Sequence, residues 1–259
     1  MANSKILYDY SDKDGYNIQD FFKILDQELD SNKYDLNESD KETVRNLFSL
    51  GTENIHSFPK VGVKSDSTNP ADYIEKWLNR YIKAHKNRPS SRVANPKSSA
   101  DDPSLAIMVK AVENYTDDEI NRAVKDHSLF MNAENVQGNL LEEYINTHAS
   151  KEGWIWAEGE TIRACDFVRN HPKYHYPEYI QIKNRDNTEN SSSSAIRQGT
   201  TISKWNRLTT RKKNKKPYPV YNWEKLNELM GLDENNQLSE EDYRLFLQRV
   251  ATTNKRLLK

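Results

Sequence analysis

The chain of 259 residues holds one cysteine, Cys165. A single thiol closes no disulfide within the chain, so packing and hydrogen bonds must hold the fold, and a reducing cytosol is the natural compartment. Glycine is scarce too, at eight residues, and no GxxxxGK[ST] string occurs, which excludes a phosphate-cradling P-loop. A nucleophile elbow of the Ser/His/Asp hydrolases is missing as well. No stretch approaches the ~18 apolar residues of a membrane span, and the opening MANSKILYDYSDKDG has no apolar signal-peptide core. The expectation is a cytoplasmic protein without membrane contact, in which sequons such as Asn190-Ser191-Ser192 have no use.

Apolar residues make up only 35% of the chain, but five Trp, fourteen Tyr and seven Phe supply large bodies for a core. The net charge of −1 hides an uneven spread. The first fifty residues are acidic. Further on, Arg197, Lys204, Arg207, Arg211, Lys212, Lys213, Lys215 and Lys216 follow one another with no acid between them. A local basic block in a neutral chain points to a polyanionic partner; the plainer reading is a solvated charged face.

Apolar residues recur with a helical period over 16–32, from Asn37 to Leu50 (Ser39 or Asp40 as N-cap, Gly51 as the stop) and over 70–85. Three prolines and several serines over 86–104 mark a boundary. This suggests an N-terminal helical region, 1–105, ahead of a second part, 106–259. Helices are expected from Leu105 to Tyr115, from the capping pattern at Thr116, and again after Gly138 through NLLEEYINTHAS. The character changes at Gly153: GWIWAEGETIRACDFV reads as two strands joined by a turn at Glu158-Gly159-Glu160, and EYIQIKN as a third strand. Ser194 to Leu208 reads as a helix restarting from a serine cap, and two more helices close the chain.

Strand alternation carries the chemistry. Asp166 falls in the series Ile162, Ala164, Asp166, Val168, where a core strand has no use for a carboxylate; Gln181 and Lys183 project together from the next strand. If the two strands pair, Asp166, Gln181 and Lys183 meet at one end of a small sheet. A carboxylate and an amide oxygen suit Mg²⁺, and an adjacent ammonium suits a charged phosphorus centre. Alternatively, each residue is an exposed polar group on a half-wet strand. A further acid is available on the helix GNLLEEYI, where Glu142 and Glu143 flank the apolar face equally. Zinc at Cys165, His171 and His175 is disfavoured: the thiol should face opposite Asp166, into the core, and the spacing is irregular.

The strings GNLLEEYI, GWIWAEGETIRACDF and YIQIKNRDNTENSSSSAIR resemble those of the SinI-type class II restriction endonucleases, within the wider PD-(D/E)xK nucleases in their E…D…QxK form. The resemblance covers about residues 130–210. It implies a mixed α/β (α+β) fold: a restriction-endonuclease-like core, a small mixed sheet flanked by helices, with further N- and C-terminal helices. It also implies Mg²⁺-dependent cleavage of double-stranded DNA by a homodimer at a short G/C-rich palindrome, GGNCC- or GGWCC-like. A cognate methyltransferase would act on the same site without binding this chain. By position, Asp166 is the metal-binding acid, Gln181 and Lys183 the QxK pair, and Glu142 the helix acid, with Glu143 open. Metal ligands would be Asp166, Gln181 and Glu142.

The polar run after Lys183 then stands where the major groove would lie. Arg185 and Arg197 suit guanine, Asp186 suits cytosine, and Asn184, Asn187 and Asn190 suit adenine. Ser191 and Lys204 suit phosphates. Other readings are a nuclease without a fixed short site (Mrr-like or a repair enzyme), a DNA-binding protein without catalysis, and a single-strand or RNA binder.

Overall fold

The computed structural model describes residues 2–31, 33–64, 68–93, 102–186 and 201–258. In chain order the elements are β1 (Ala2–Lys5), α1 (Leu7–Asp14), α2 (Ile18–Asp30), α3 (Glu38–Thr52), β2 (Val61–Lys64), α4 (Ala71–Lys86), α5 (Pro103–Glu113), α6 (Asp117–Ala149), β3 (Ile155–Trp156), β4 (Phe167–Asn170), β5 (Pro177–Arg185), β6 (Ile202–Lys213), β7 (Lys216–Tyr221), α7 (Trp223–Met230) and α8 (Glu240–Thr253). The class is mixed α/β, as expected. The chain divides into two compact units, Met1–Asn87 with Ile145–Ser239, and Arg88–Tyr144 with Glu240–Lys259.

In the first unit, helix starts are set by side chains that accept the first free amides. Asn17 accepts from Asp20 N at 3.1 Å and Asp20 returns a bond to Asn17 N. Asn37 accepts from Asp40 N at 2.9 Å and is the cap of α3, in place of the expected Ser39 or Asp40. α3 also runs on through Gly51. The glycine is there for packing: a Cβ would stand 2.8 Å from the Phe58 ring and 2.9 Å from Ile162. Phe21, Phe48, Phe58, Tyr73 and Trp77 fill the core among these helices, with Phe48 and Trp77 edge-on at 5.2 Å. α1 and the antiparallel pair β1–β2 were not foreseen; each is too short to show a period.

The five-stranded sheet has the order β3-β4-β5-β6-β7, and only β5–β6 is parallel. The first-unit helical core packs on the face that carries Tyr179, whose hydroxyl donates to Leu50 O at 2.7 Å. Trp205 lies on the other face, 5.2 Å from Trp223 of α7. Arg169 fastens α7 to the sheet: it pairs with Glu178 at 2.6 Å and donates to Met230 O at 2.9 Å.

Three expectations are corrected here. The hairpin over 153–168 is not two full strands. β3 has two residues, and 158–160 form a tight 3-10 turn with Gly159 at φ 70° lying against α4, where a Cβ would meet Arg80 O at 2.5 Å. Two helices around Gly138 are one helix of 33 residues, because a single glycine lowers helix stability by only ~1 kcal/mol. The expected helix to Leu208 is strand β6 from Ile202 onward; residues 194–200 lie outside the described residues. Asn214 and Lys215, at φ 51° and 64°, make the two-residue turn into β7. β7 is the outer strand and carries Pro217 and Pro219.

The second unit has its own core, Val136, Leu140, Val250 and Leu257, with Phe246, Leu247 and Leu258 against it. Tyr243 donates to Gln137 O at 3.1 Å, joining α8 to α6. Thr116 and Glu119 form the expected capping box at the start of α6.

Candidate active site

The loop before β4 is pinned at several points of the first unit. Trp77 Nε1 donates to Thr161 O at 3.0 Å, Arg163 N donates to Ser57 O at 2.7 Å, and His85 Nδ1 stands 3.1 Å from Glu158 Oε1. The loop therefore delivers Asp166 in a fixed place. Its N–H donates to Ile180 O at 2.8 Å, and its carbonyl accepts from Ala157 N at 2.8 Å. Asp166 thus precedes β4 instead of lying within a strand that starts at Thr161. Its carboxylate Oδ2 accepts from Ile182 N at 2.6 Å.

The register Phe167↔Ile180 sets Asp166 beside Gln181 on β5. Gln181 is 3% exposed, and its Oε1 has no hydrogen-bond partner among the described residues. A buried polar atom left unpaired costs about 1–3 kcal/mol, a cost that a ligand held there would offset. Lys183 follows on the same face. Burial pushes the Asp166 carboxyl up to about 6; the Ile182 amide and the Lys183 charge pull it down, and Glu160 pushes it up again. The structure therefore brings Asp166, Gln181 and Lys183 together, with Asp166 supplied by the loop before β4 and not by the expected strand from Thr161.

Two residues near them had escaped notice. Glu160, at φ 57°, bears on Asp166 through its charge. Asn206 pairs in register with Lys183 and holds a buried Oδ1 without a partner among the described residues. Reading β6 as a strand would have placed Asn206 opposite Lys183; nothing in the sequence singles out Glu160.

The donor set fits a small hard cation: a carboxylate and a buried, unsatisfied amide oxygen, with no sulfur available. Cys165 is buried, its thiol pushed well up by burial and aimed at Phe167 O at 3.2 Å. Among the described residues no three His, Cys, Asp or Glu side chains gather as a cage. Few protein ligands with water making up the rest is the usual way Mg²⁺ is held.

Glu142 and Glu143 lie on α6 in the second unit, both half-buried. Glu143 is engaged there, accepting from Ser90 N at 2.8 Å and Ser90 Oγ at 2.5 Å. Of the expected base readers, Asn184 accepts from Arg207 Nε at 2.8 Å and Asp186 from Thr210 N at 3.2 Å. Arg185 is exposed at the end of β5. Lys204 is in register with Gln181. Asn187, Asn190, Ser191 and Arg197 lie outside the described residues. Arg211, Lys212, Lys213, Lys215 and Lys216 crowd the exposed tip of the β6–β7 hairpin.

The sequence pattern of the SinI restriction endonucleases matches residues 64–252. Among similar proteins, the type II restriction enzyme Eco47I of Escherichia coli is 35% identical over 156 residues, 60% of this chain and 64% of its own. The type II restriction enzyme SinI of Salmonella infantis is 33% identical over 153 residues, 59% of this chain and 63% of its own. The matched stretch thus spans somewhat under two thirds of each relative; the family pattern over 64–252 contains Asp166, Gln181 and Lys183.

Proposed function

Because the chain belongs to the SinI restriction endonuclease family, we propose that it is a type II restriction endonuclease. It hydrolyses one phosphodiester in each strand of double-stranded DNA, at a short G/C-rich palindrome of the GGNCC or GGWCC kind. The observation that carries this reading is the buried, unpaired Gln181 Oε1 beside Asp166 and Lys183 on paired strands.

Asp166 and Gln181 would hold Mg²⁺, with Glu142, or Glu143, as the helix acid on GNLLEEYI. When bound, the ion acidifies a water and offsets charge growing on the phosphate oxygens. Lys183 orients the attacking water and offsets the same charge from the protein side. The Ile182 amide fixes Asp166, so the carboxylate needs no rearrangement when DNA arrives. Arg185 and Asp186 stand at the end of the catalytic strand and serve as base readers together with Asn184, Asn187, Asn190 and Arg197; Ser191, Lys204 and the hairpin tip track phosphates, which makes binding steeply salt-dependent. A palindrome favours a two-fold dimer. No helix among the described residues is long and apolar enough to cross a membrane, and we place the enzyme in the cytoplasm, where a methyltransferase would protect the same sites.

The test is digestion of a DNA of known sequence with Mg²⁺, with the ends sequenced. Cuts confined to one short palindrome are expected. Absent cutting overturns the enzyme, and cutting without a fixed site gives the reading to a structure- or methylation-directed nuclease.

A further inference from the structure

Lys183 brings donors to the candidate active site and nothing else: an ammonium has three N–H groups and no acceptor. It can donate to the oxygen of an attacking water, but it cannot hold that water's own O–H bonds. On the β4 side, Asp166 and Gln181 face the cation in the proposed function. An acceptor also lies on the β6 side. β5 and β6 run parallel, and their register sets Asn206 against Lys183 and Lys204 against Gln181, so all four share one face of the sheet. Neighbouring strands stand about 4.8 Å apart, which puts Asn206 within reach of the Lys183 side chain. Asn206 Oδ1 is buried and has no hydrogen-bond partner among the described residues. The strand that carries it is fastened. The Asn222 side chain donates to Asn206 O at 2.8 Å and to Thr209 Oγ1 at 2.9 Å. Asn222 N donates to Arg207 O at 3.0 Å, and Trp205 Nε1 donates to Asn222 O at 2.9 Å. By contrast Asn184, on the opposite face of β5, already accepts from Arg207 Nε at 2.8 Å.

We propose that Asn206 is a catalytic residue: its Oδ1 accepts one O–H of the attacking water while Lys183 donates to the same water's oxygen. Held at both points, the water turns a lone pair towards phosphorus, and little reorganisation is left for the moment of reaction. The water oxygen then bonds to phosphorus as the bond to the departing sugar oxygen breaks. That oxygen leaves with the electron pair and takes up a proton. The proton shed by the water passes to solvent, because an amide oxygen is too weak a base to keep it. Asn206 thus aligns the water and does not act as the general base. The inference rests on the phosphodiester hydrolysis of the proposed function and adds to it a residue outside the Asp166, Gln181 and Lys183 set.

Single-turnover cleavage of DNA with Mg²⁺ is the test, read beside DNA affinity with Ca²⁺ in its place and a melting curve of the free protein. Asn206→Leu keeps the size of the side chain and removes the acceptor. It should slow cleavage about 10- to 100-fold, the worth of one hydrogen bond to a charged partner, with DNA affinity held within about twofold and the melting curve not lowered. Added to Lys183→Ala, it should slow cleavage no further, since both groups hold one water. A wild-type rate in Asn206→Leu overturns the proposal. So does a double variant slower than Lys183→Ala by the full factor of the single change, and so does a loss of rate matched by a loss of DNA affinity. If Asn206→Leu fails to fold, Asn206→Ala, which adds no bulk, decides by the same comparisons. A wild-type chain that cuts no DNA overturns the proposed function and this inference with it; a wild type that cuts, with Asn206→Leu cutting as fast, overturns this inference alone.

Discussion

β5 and α5 are nine and eleven residues long, and each carries a run of apolar side chains, yet the fold treats them oppositely. From Tyr179 to Ile182 β5 is buried on both faces, Gln181 included. α5 buries nothing. Strand β5 has neighbours on both edges and helices over its face, so its environment is complete and a polar atom placed there is held in a dry, rigid setting. Helix α5 has one face with an apolar stripe, and among the described residues nothing buries it. In β5 the anomaly is a polar atom among apolar ones, and the proposed function places its chemistry there. In α5 it is an apolar face in water.

The largest expected effect breaks β5 itself. Ile180→Ala should cost about 2–5 kcal/mol in urea unfolding, as a fully packed core position does. Next, Lys183→Ala should lower the rate of Mg²⁺-dependent cleavage by about 10²–10³-fold while leaving the melting curve in place; cutting at the wild-type rate would remove Lys183 from the site. The third concerns pH. Asp166 is raised in the fold, so its contribution to stability is present below the ordinary carboxylate range and is lost as pH rises towards about 6. The rise in melting temperature on adding Mg²⁺ should therefore appear above pH 6 and fade below it, and Asp166→Asn should flatten this dependence. Fourth, Gln181→Met replaces an unsatisfied oxygen with an apolar atom. It should raise stability by about 1–3 kcal/mol while weakening Mg²⁺ binding, which calorimetry would read. A loss of both would show that Gln181 is structural. The smallest effect belongs to α5: Val112→Ala, at an exposed position, should change stability by less than about 0.5 kcal/mol, against the large cost at Ile180.

The sequence made the constellation legible where a period of two met a residue type that a core does not want. Gln181 and Lys183 share a face of β5 as a period of two requires; Asp166 was picked out by the same alternation, but it precedes β4 and comes beside Gln181 because the β4–β5 register extends one residue back. Long-range supports were not legible: Trp77 reaching Thr161, or Arg80 backing Gly159, joins residues some eighty positions apart and leaves no local trace. β6 was misread because Ser194 to Ser203 offers caps and the run after it is basic. The alternation of Trp205 and Arg207, both buried, was present in the sequence but outweighed. The helix expected to begin after Gly138 is part of α6: nothing lies within 4 Å of where the glycine's Cβ would be and the helix passes through.

The outer strand of the sheet bears on how the protein behaves when crowded. A free strand edge is a template on which another chain can add itself, residue by residue, towards a fibre. β7 meets that hazard with Pro217 and Pro219, each without an amide donor, next to a lysine-rich turn. The opposite edge, β3, is two residues long and too short to seed anything. Neither border of the sheet invites runaway growth.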